Sequence, residues 1–238
     1  MNGQPLSAAP EAVPAGTAAP PARLSAEDLT KARAETRAAR RRRYSFPAKA
    51  LFVAMDLIYG KRRDLPKFRV LELIARVPYQ AWEQVAYVAI THTGAQPDFA
   101  RRIHDRVMET RAQQDNEQWH LLILTELIER RGERQGLIRH RILPQLIALM
   151  YYHLTWALYV VRPAWSYRLN ADFEDHAEHE YMEYVAENPE FDAAPYDSEF
   201  TDEHGSFATL GDLFRQIGYD ERVHKNESLA QMTQPRFD

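Results

Sequence analysis

The sequence predicts an all-α protein in which long helices pack as a bundle. Apolar residues recur at helical spacing through most of the chain after residue 46. Long alternation of apolar and polar residues, which would predict strands, is missing, and the helical stretches are separated by Gly, Pro and Asn signals such as "HTGAQPD" and "ENPE". We expect helices over about 47–61, 67–93, 98–132, 136–161, 165–187 and 206–228.

Composition limits the chemistry that this chain can perform. With 238 residues, of which 45% are hydrophobic, the chain can bury a core and is expected to form one domain after a tail. The sequence contains no Cys, which excludes disulfides, thiolate metal sites and a cysteine nucleophile. Any metal would therefore be held by His and carboxylate ligands, which suit iron or manganese.

The region before the first of these helices, residues 1–43, is expected to be a disordered, basic N-terminal tail. Residues 1–30 are rich in Ala, Pro, Gly and Ser and contain few large apolar side chains that could form a core. A transit peptide is the alternative, but Glu11, Glu27 and Asp28 are unusual in such peptides. The folded domain is then expected over 44–230, with a C-terminal tail over 231–238.

The first helix, over about 47–61, is apolar and flanked by basic residues. The net charge of −4 conceals an asymmetry, because residues 170–238 hold 18 Asp and Glu against 4 Lys and Arg, a balance of −14, so the rest carries +10. The basic run at 40–43 and the "KRR" at 61–63 could be a solvated face or an anchor on anionic lipid. Nucleic acid is not an expected partner, since no base-reading module accompanies these residues.

The helix over 143–161 is the most apolar segment of the chain. It is nearly long enough to span a bilayer, but Pro144, Gln145 and His153 interrupt it. A membrane span and a bundle helix with one face in lipid are both open interpretations.

Two Glu-x-x-His pairs, Glu117/His120 and Glu221/His224, lie on predicted helices. Side chains three residues apart share one helix face, so each pair can reach one metal ion from a rigid support. Two further helices carry central carboxylates, Glu72 and Glu174. The four Glu follow one another at intervals of roughly 50 residues, enough for a helix, a connection and a return.

One Glu from each of two helices, with Glu-x-x-His from each of two others, is the ligand inventory of ferritin-like di-iron bundles. Two such pairs, joined by two bridging carboxylates, would supply four negative charges to offset two ferrous ions. We therefore expect a ferritin-like four-helix di-iron bundle with additional membrane-associated helices. The expected cofactor is a di-iron centre of two iron ions.

Four ordered blocks, "VLELIARVPY", "NEQWHLL", "FEDHAEHEY" and "DERVH", make the chain resemble the alternative oxidase family of non-haem di-iron quinol oxidases over roughly residues 47–228. The first and third blocks look more like the plastid terminal oxidase branch. The resemblance implies oxidation of ubiquinol or plastoquinol, reduction of dioxygen to water without proton pumping, a homodimer, and contact with membrane lipid. It also implies monotopic attachment, on the inner face of a bacterial inner membrane or an equivalent organelle membrane.

The resemblance also assigns roles to residues. It implies metal ligands at Glu72, Glu117, His120, Glu174, Glu221 and His224. Tyr181 matches the family's redox-active tyrosine, and Asn116 and Asp220 match residues that orient the ligands.

Some alternatives remain open at these positions. Glu178, one turn from Glu174, could be the ligand instead. The family's "LET" is "LEL" here, so Leu73 offers no hydroxyl, and His176 replaces an acid of the mitochondrial branch. The alternative functions are another membrane-associated ferritin-like oxygenase, such as a quinone-ring hydroxylase, and an iron-storage protein.

Overall fold

A computed structural model describes residues 21–93 and 95–234 of the chain. This part of the chain is helical and contains no named strand, which confirms the all-α class. The expected disorder of residues 1–20 and the last four residues of the expected C-terminal tail lie outside the described residues.

Nine α-helices occur in the described ranges. They are α1 Ala26–Ala38, α2 Phe46–Tyr59, α3 Leu65–Ala75, α4 Val77–Thr91, α5 Pro97–Arg130, α6 Leu143–Val161, α7 Pro163–Glu187, α8 Thr201–His204 and α9 Leu210–Gln231. A π-helical turn over Ile138–Ile142 leads into α6, and a 3-10 turn over Pro189–Asp192 follows α7.

Proline marks the start of six of these helices. Each helix from α2 to α7 has Pro in its first turn, where the missing N–H has no intrahelical partner to lose. One consequence corrects the sequence prediction: the helix expected over 67–93 is two helices, α3 and α4. Pro78 cannot donate to the carbonyl of Ile74 four residues earlier, so the helical bonding is interrupted at Arg76.

Four helices, α3, α5, α7 and α9, carry the expected ligands and surround the centre of the bundle. The most extensive helix–helix contact is between α7 and α9, and α3 packs against α5. Helices α4 and α6 pack against each other, with α4 also against α5 and α6 against α7. The N-terminal ends of α3 and α9 are fixed by Asp64 and Thr209, whose side chains accept N–H groups of their first turns.

Part of the expected N-terminal tail is an ordered helix, since α1 lies within residues 1–43. Ser25 caps it, and it packs against α7 and α9 with Leu29 and Ala32 buried. The Thr36 hydroxyl donates to Glu178 at 2.5 Å. The composition of 1–30 does not support an independent core, but α1 gains its buried surface from the bundle, a long-range contact that composition does not reveal.

No helix in residues 21–93 and 95–234 combines the length and the apolar character needed to cross a membrane, so the span interpretation of α6 is not supported. Helices α2 and α6 nevertheless expose large apolar side chains. On α2, Phe46 is 83% exposed and Leu57 82% exposed, and on α6, Met150 is 74% exposed.

Candidate metal centre

The structure brings all six predicted ligands together in the middle of the bundle. Helix α3 supplies one Glu, α5 a Glu-His pair, α7 one Glu and α9 the second pair, and every one of these side chains is fully buried. Their ligand atoms form two groups, in each of which one atom per residue lies within 4.8 Å of the others. The groups are Glu72, Glu117, His120 and Glu221, and Glu117, Glu174, Glu221 and His224.

Two carboxylates, Glu117 and Glu221, belong to both groups. They come from the Glu-His pairs on α5 and α9. A pair of metal ions would therefore share the Glu of each pair rather than Glu72 and Glu174, which the sequence analysis expected to join the two pairs and which each lie in one group only.

The donor set fits a pair of metal ions. Each of the six residues has at least one buried nitrogen or oxygen without a hydrogen-bond partner in the described part of the chain, and Glu221 has both its carboxylate oxygens in this state. An unpartnered buried polar atom costs about 1–3 kcal/mol, so such a cluster is unfavourable unless cations or protons occupy it. A set of four carboxylates and two imidazoles suits iron or manganese.

Without metal, most of the carboxylates in this cluster hold protons. Burial, together with the negative charge of Glu117, raises the pKa of Glu72 to about 8 and that of Glu174 to about 7. Burial and the same charge raise the pKa of Glu221 well above its usual range. Glu117 is the exception: burial alone would raise its pKa, but hydrogen bonds with His120 and His224 lower it below its usual range.

Without metal, the imidazoles of His120 and His224 are also protonated. Burial opposes the charge on His224, yet its Nδ1 lies 2.7 Å from Glu117 Oε1, and this contact raises its pKa to about 9. Burial likewise opposes the charge on His120, but Asp220 and the surrounding carboxylates raise its pKa well above 6.5. Metal binding requires neutral imidazole and ionised carboxylate, so a metal would displace these protons.

Asp220 and Asn116 were predicted to orient the ligands, and the structure places only Asp220 in contact with one. His120 Nε2 lies 3.1 Å from Asp220 Oδ2, and Gln216 donates to the other oxygen of Asp220 at 2.7 Å. Asp220 therefore fixes the ring of His120. Asn116 is buried, but its Oδ1 has no partner among the described residues, and its side chain makes no hydrogen bond there to a ligand.

Two tyrosines donate to the outer carboxylates. The Tyr181 hydroxyl donates to Glu72, and the Tyr181 ring stacks on Phe68 with centroids 4.3 Å apart. The Tyr79 hydroxyl donates to Glu174 Oε1 at 2.8 Å. The sequence analysis missed Tyr79, although it follows Glu72 at the same seven-residue interval by which Tyr181 follows Glu174. Each tyrosine thus donates to the glutamate that the other tyrosine follows in the sequence.

Glu178, the alternative ligand, lies outside both groups. Its carboxylate contacts Thr36, Arg222 and Lys225, so two cations already offset its charge. His179 bonds to the carbonyl of Asp175 rather than to the centre. The geometry therefore favours Glu174 as the ligand from α7.

Comparison with known proteins agrees with this arrangement. Residues 26–231 match the model of a protein family described as alternative oxidase. Over 131 residues the chain is 34% identical to ubiquinol oxidase 4, chloroplastic/chromoplastic, of Arabidopsis thaliana, a match that covers 55% of this chain and 34% of that relative. The match thus spans about a third of the relative's length. The plastid location in the relative's name agrees with the resemblance of two sequence blocks to the plastid branch.

No solved structure matches the chain. The family match, in contrast, extends from the start of α1 to the end of α9 and includes all six residues of the candidate centre. This chain belongs to the alternative oxidase family.

Proposed function

We propose that this protein is a quinol oxidase that works at a membrane surface. It would oxidise two molecules of ubiquinol or plastoquinol and pass four electrons and four protons to dioxygen, giving two quinones and two waters without pumping protons. The observation that carries this proposal is the pair of buried ligand groups, which share Glu117 and Glu221 and retain unpartnered donor atoms.

In this proposal the six residues hold two iron ions. Bound iron would supply reactivity toward dioxygen, chemistry that none of the protein's own side chains offers. The protein's contribution is to position the ligands: four helices place them, Asp220 fixes the ring of His120, and full burial excludes bulk water.

Tyr181 can hold a proton and release it along a defined path. Burial, and then the charge of Glu72, raise the pKa of Tyr181 well above its usual value, so the phenol stays protonated. Its hydroxyl donates directly to Glu72. If the ring gives up an electron during turnover, its proton can move to the Glu72 carboxylate without passing through water.

The membrane contact is proposed at the exposed apolar residues of α2 and α6. Arg139 and Arg141, which directly precede α6, are exposed and can meet anionic headgroups. The basic residues at 40–43 and 61–63 contribute less than the sequence suggests. Arg42 and Arg63 pair with acidic residues of α7, and so does Arg41. The other basic residues of these two runs are exposed, so the proposed anchor combines apolar burial with the charge of Arg40, Arg43, Lys61 and Arg62.

Tyr151 is the residue of α6 that we propose as a contact for quinol. It is buried, and its hydroxyl has no hydrogen-bond partner in the described part of the chain. Burial and then the charge of Glu174 raise its pKa, so the phenol remains a donor. Tyr151→Phe should raise the KM for quinol about tenfold with a smaller change in kcat, because only a binding contact is removed. An unchanged KM would exclude Tyr151 as a quinol contact.

The proposal also concerns where the protein lies in the cell and its oligomeric state. A peripheral position on one face of a membrane is consistent with the apolar surfaces of α2 and α6. The Arabidopsis relative is a chloroplast and chromoplast protein by name, which gives no support to the bacterial inner membrane as an alternative. The homodimer stays a prediction.

Oxygen uptake by the purified full chain, given ubiquinol or plastoquinol, tests the function. Glu117→Ala and Glu221→Ala should abolish uptake and lower iron from about two ions per chain, while helical content stays near wild type. Glu83→Ala is the matched control, since Glu83 forms an ion pair with Arg111 at the surface. Uptake retained in either ligand variant would refute the site.

The same preparation separates the alternative functions. An iron-storage protein would accumulate iron far beyond the two ions expected of a di-iron centre. A quinone-ring hydroxylase would add oxygen to the ring, which mass spectrometry of the quinone product detects. Quinone of unchanged composition and water as the product of dioxygen are the results that the oxidase proposal requires.

A further inference from the structure

A cavity of about 370 Å³ lies where α5 faces α8 and α9. Its outer wall includes the exposed residues Asp115 and Glu203, and its inner wall the buried residues Asn116, His204 and Asp220. Asn116 and Asp220 directly precede two of the candidate ligands in sequence. The cavity thus runs from the protein surface to Asp220, which lies 3.1 Å from the candidate ligand His120.

A third set of potential metal ligands lies at the inner end of this cavity. Ligand atoms of His120, His204 and Asp220 fall within 4.8 Å of one another. The rings of His204 and His120 are nearly perpendicular, with centroids 5.0 Å apart. His204 is 6% exposed, and its Nε2 has no hydrogen-bond partner in the described ranges. This buried nitrogen is a donor atom that the proposed oxidase reaction does not use.

The local structure holds these side chains in place. Gly205 has a φ of +120°, and a Cβ there would lie 2.6 Å from the side chain of Arg23, so the chain after His204 requires glycine. On the other side, Gln216 donates to Asp220 at 2.7 Å and accepts the backbone N–H of Leu24 at 3.0 Å. The segment before α1 therefore forms a fixed part of the cavity wall.

The charges along the cavity favour a cation. Asp115, Glu203 and Asp220 contribute negative charge to its wall. Arg23 and Arg111 also lie on the wall, but an ion pair with Glu83 offsets the charge of Arg111, so three carboxylates face the charge of Arg23. Negative charge lining a cleft raises the local concentration of cations.

We propose that His204 and Asp220 form an entry site for ferrous iron, which takes the ion from the cavity and passes it to His120 and the centre. The inference rests on the proposed function, in which the six buried residues hold iron. A route is required because every one of these ligands is fully buried. An imidazole nitrogen and a carboxylate oxygen are suitable donors for ferrous iron, with water completing its coordination at the entry site.

The rate of iron uptake tests this proposal. Apoprotein is mixed anaerobically with Fe²⁺, and a strong ferrous chelator added at intervals separates free from protein-protected iron. His204→Phe should slow uptake about tenfold or more without changing the final content of about two ions per chain. His204→Glu, which restores a ligand, should load faster than His204→Phe. His153→Phe is the control, because His153 is an exposed imidazole on α6.

A second variant keeps the test decisive if His204→Phe does not fold. Ala112 lines the cavity on α5, so Ala112→Trp should block it and slow uptake with His204 intact. Uptake at the wild-type rate in the folded His204→Phe protein, or in Ala112→Trp, would overturn the entry site. A wild-type chain that never approaches two ions would instead refute the metal centre itself, so the two failures are distinguishable.

Discussion

Loading the apoprotein with ferrous iron at pH 7 should release more than about two protons for every two ions bound. The protons come from the buried carboxylates and imidazoles that must change protonation state when they become ligands. The metal centre is in this sense a site where cations compete with protons, and the outcome depends on pH.

The number follows from the pKa values of the cluster. At pH 7, His224 with a pKa of about 9 is almost fully protonated, Glu72 with a pKa of about 8 is roughly nine-tenths protonated, and Glu174 with a pKa of about 7 is half protonated. His120 and Glu221, whose pKa values are raised well above their usual ranges, add to this release. Glu117 is ionised already and adds none.

The assay is an anaerobic titration with Fe²⁺ in weakly buffered solution containing a pH indicator. With at least about one proton displaced per ion, affinity should fall roughly tenfold or more for each unit by which pH is lowered near neutrality. Release of one proton or none per pair of ions, or an affinity that does not change between about pH 6 and 8, would refute the proposed protonation of the cluster.

The same groups make the stability of the apoprotein depend on pH. His224 and Glu72 have raised pKa values in the folded state, so their contribution is complete below the unfolded pKa and is lost as pH rises through the folded one. The melting temperature of the apoprotein should therefore fall between about pH 7 and 9, and the iron-loaded protein should not show this fall. A melting temperature that rises over this interval would contradict the assignment.

Two further predictions concern the tyrosine and the membrane. Tyr181→Phe should reduce turnover steeply with iron content unchanged, and an equal loss in Tyr79→Phe would show that the hydrogen bond to a carboxylate, rather than electron donation, is what matters. Phe46→Ser combined with Leu57→Ser should weaken binding to anionic vesicles about a hundredfold, because the two exposed side chains together contribute about 3 kcal/mol on burial. Met108→Ser is the control, because Met108 lies on the wall of the cavity beside α5 rather than on α2 or α6. Vesicle binding unchanged in the double variant would exclude α2 as the anchor.

Helical periodicity predicts most of the fold because each helix buries one apolar face against the others. The expected ends of the long helices lie within four residues of the structural ones where neither a break nor the π-helical turn intervenes. The break at Arg76 was missed, although Pro78 signals it in the sequence. Helix α1 was missed for a different reason, since its stability comes from contacts with α7 and α9, far away along the chain.

The ligand set could be anticipated because its spacing reflects helix geometry. Residues three apart on a helix share a face, so the two Glu-His pairs are visible in the sequence itself. His204 carries no such signal, because it lies in a short helix of the α7–α9 connection and meets His120 only through the fold. The contact between Tyr79 and Glu174 also depends on how α4 lies against α7. The seven-residue interval from Glu to Tyr nevertheless occurs twice in the sequence and could have indicated a role for Tyr79.

Helix α7 has a consequence for how this sequence can change over evolution. Between residues 170 and 178 it buries Asn170, Asp172, Asp175 and Glu178 beside its candidate ligand. Their side-chain partners lie in other segments. Arg42, before α2, pairs with Asp172, and two cations of α9 pair with the other acids, Lys225 with Asp175 and Arg222 with Glu178. Asn170 donates to Ser228, also in α9. Loss of one member of a buried charged pair costs about 3–5 kcal/mol, so single substitutions here should be rejected. Accepted changes should arise as compensating pairs, with the second substitution located on the distant segment that holds the partner.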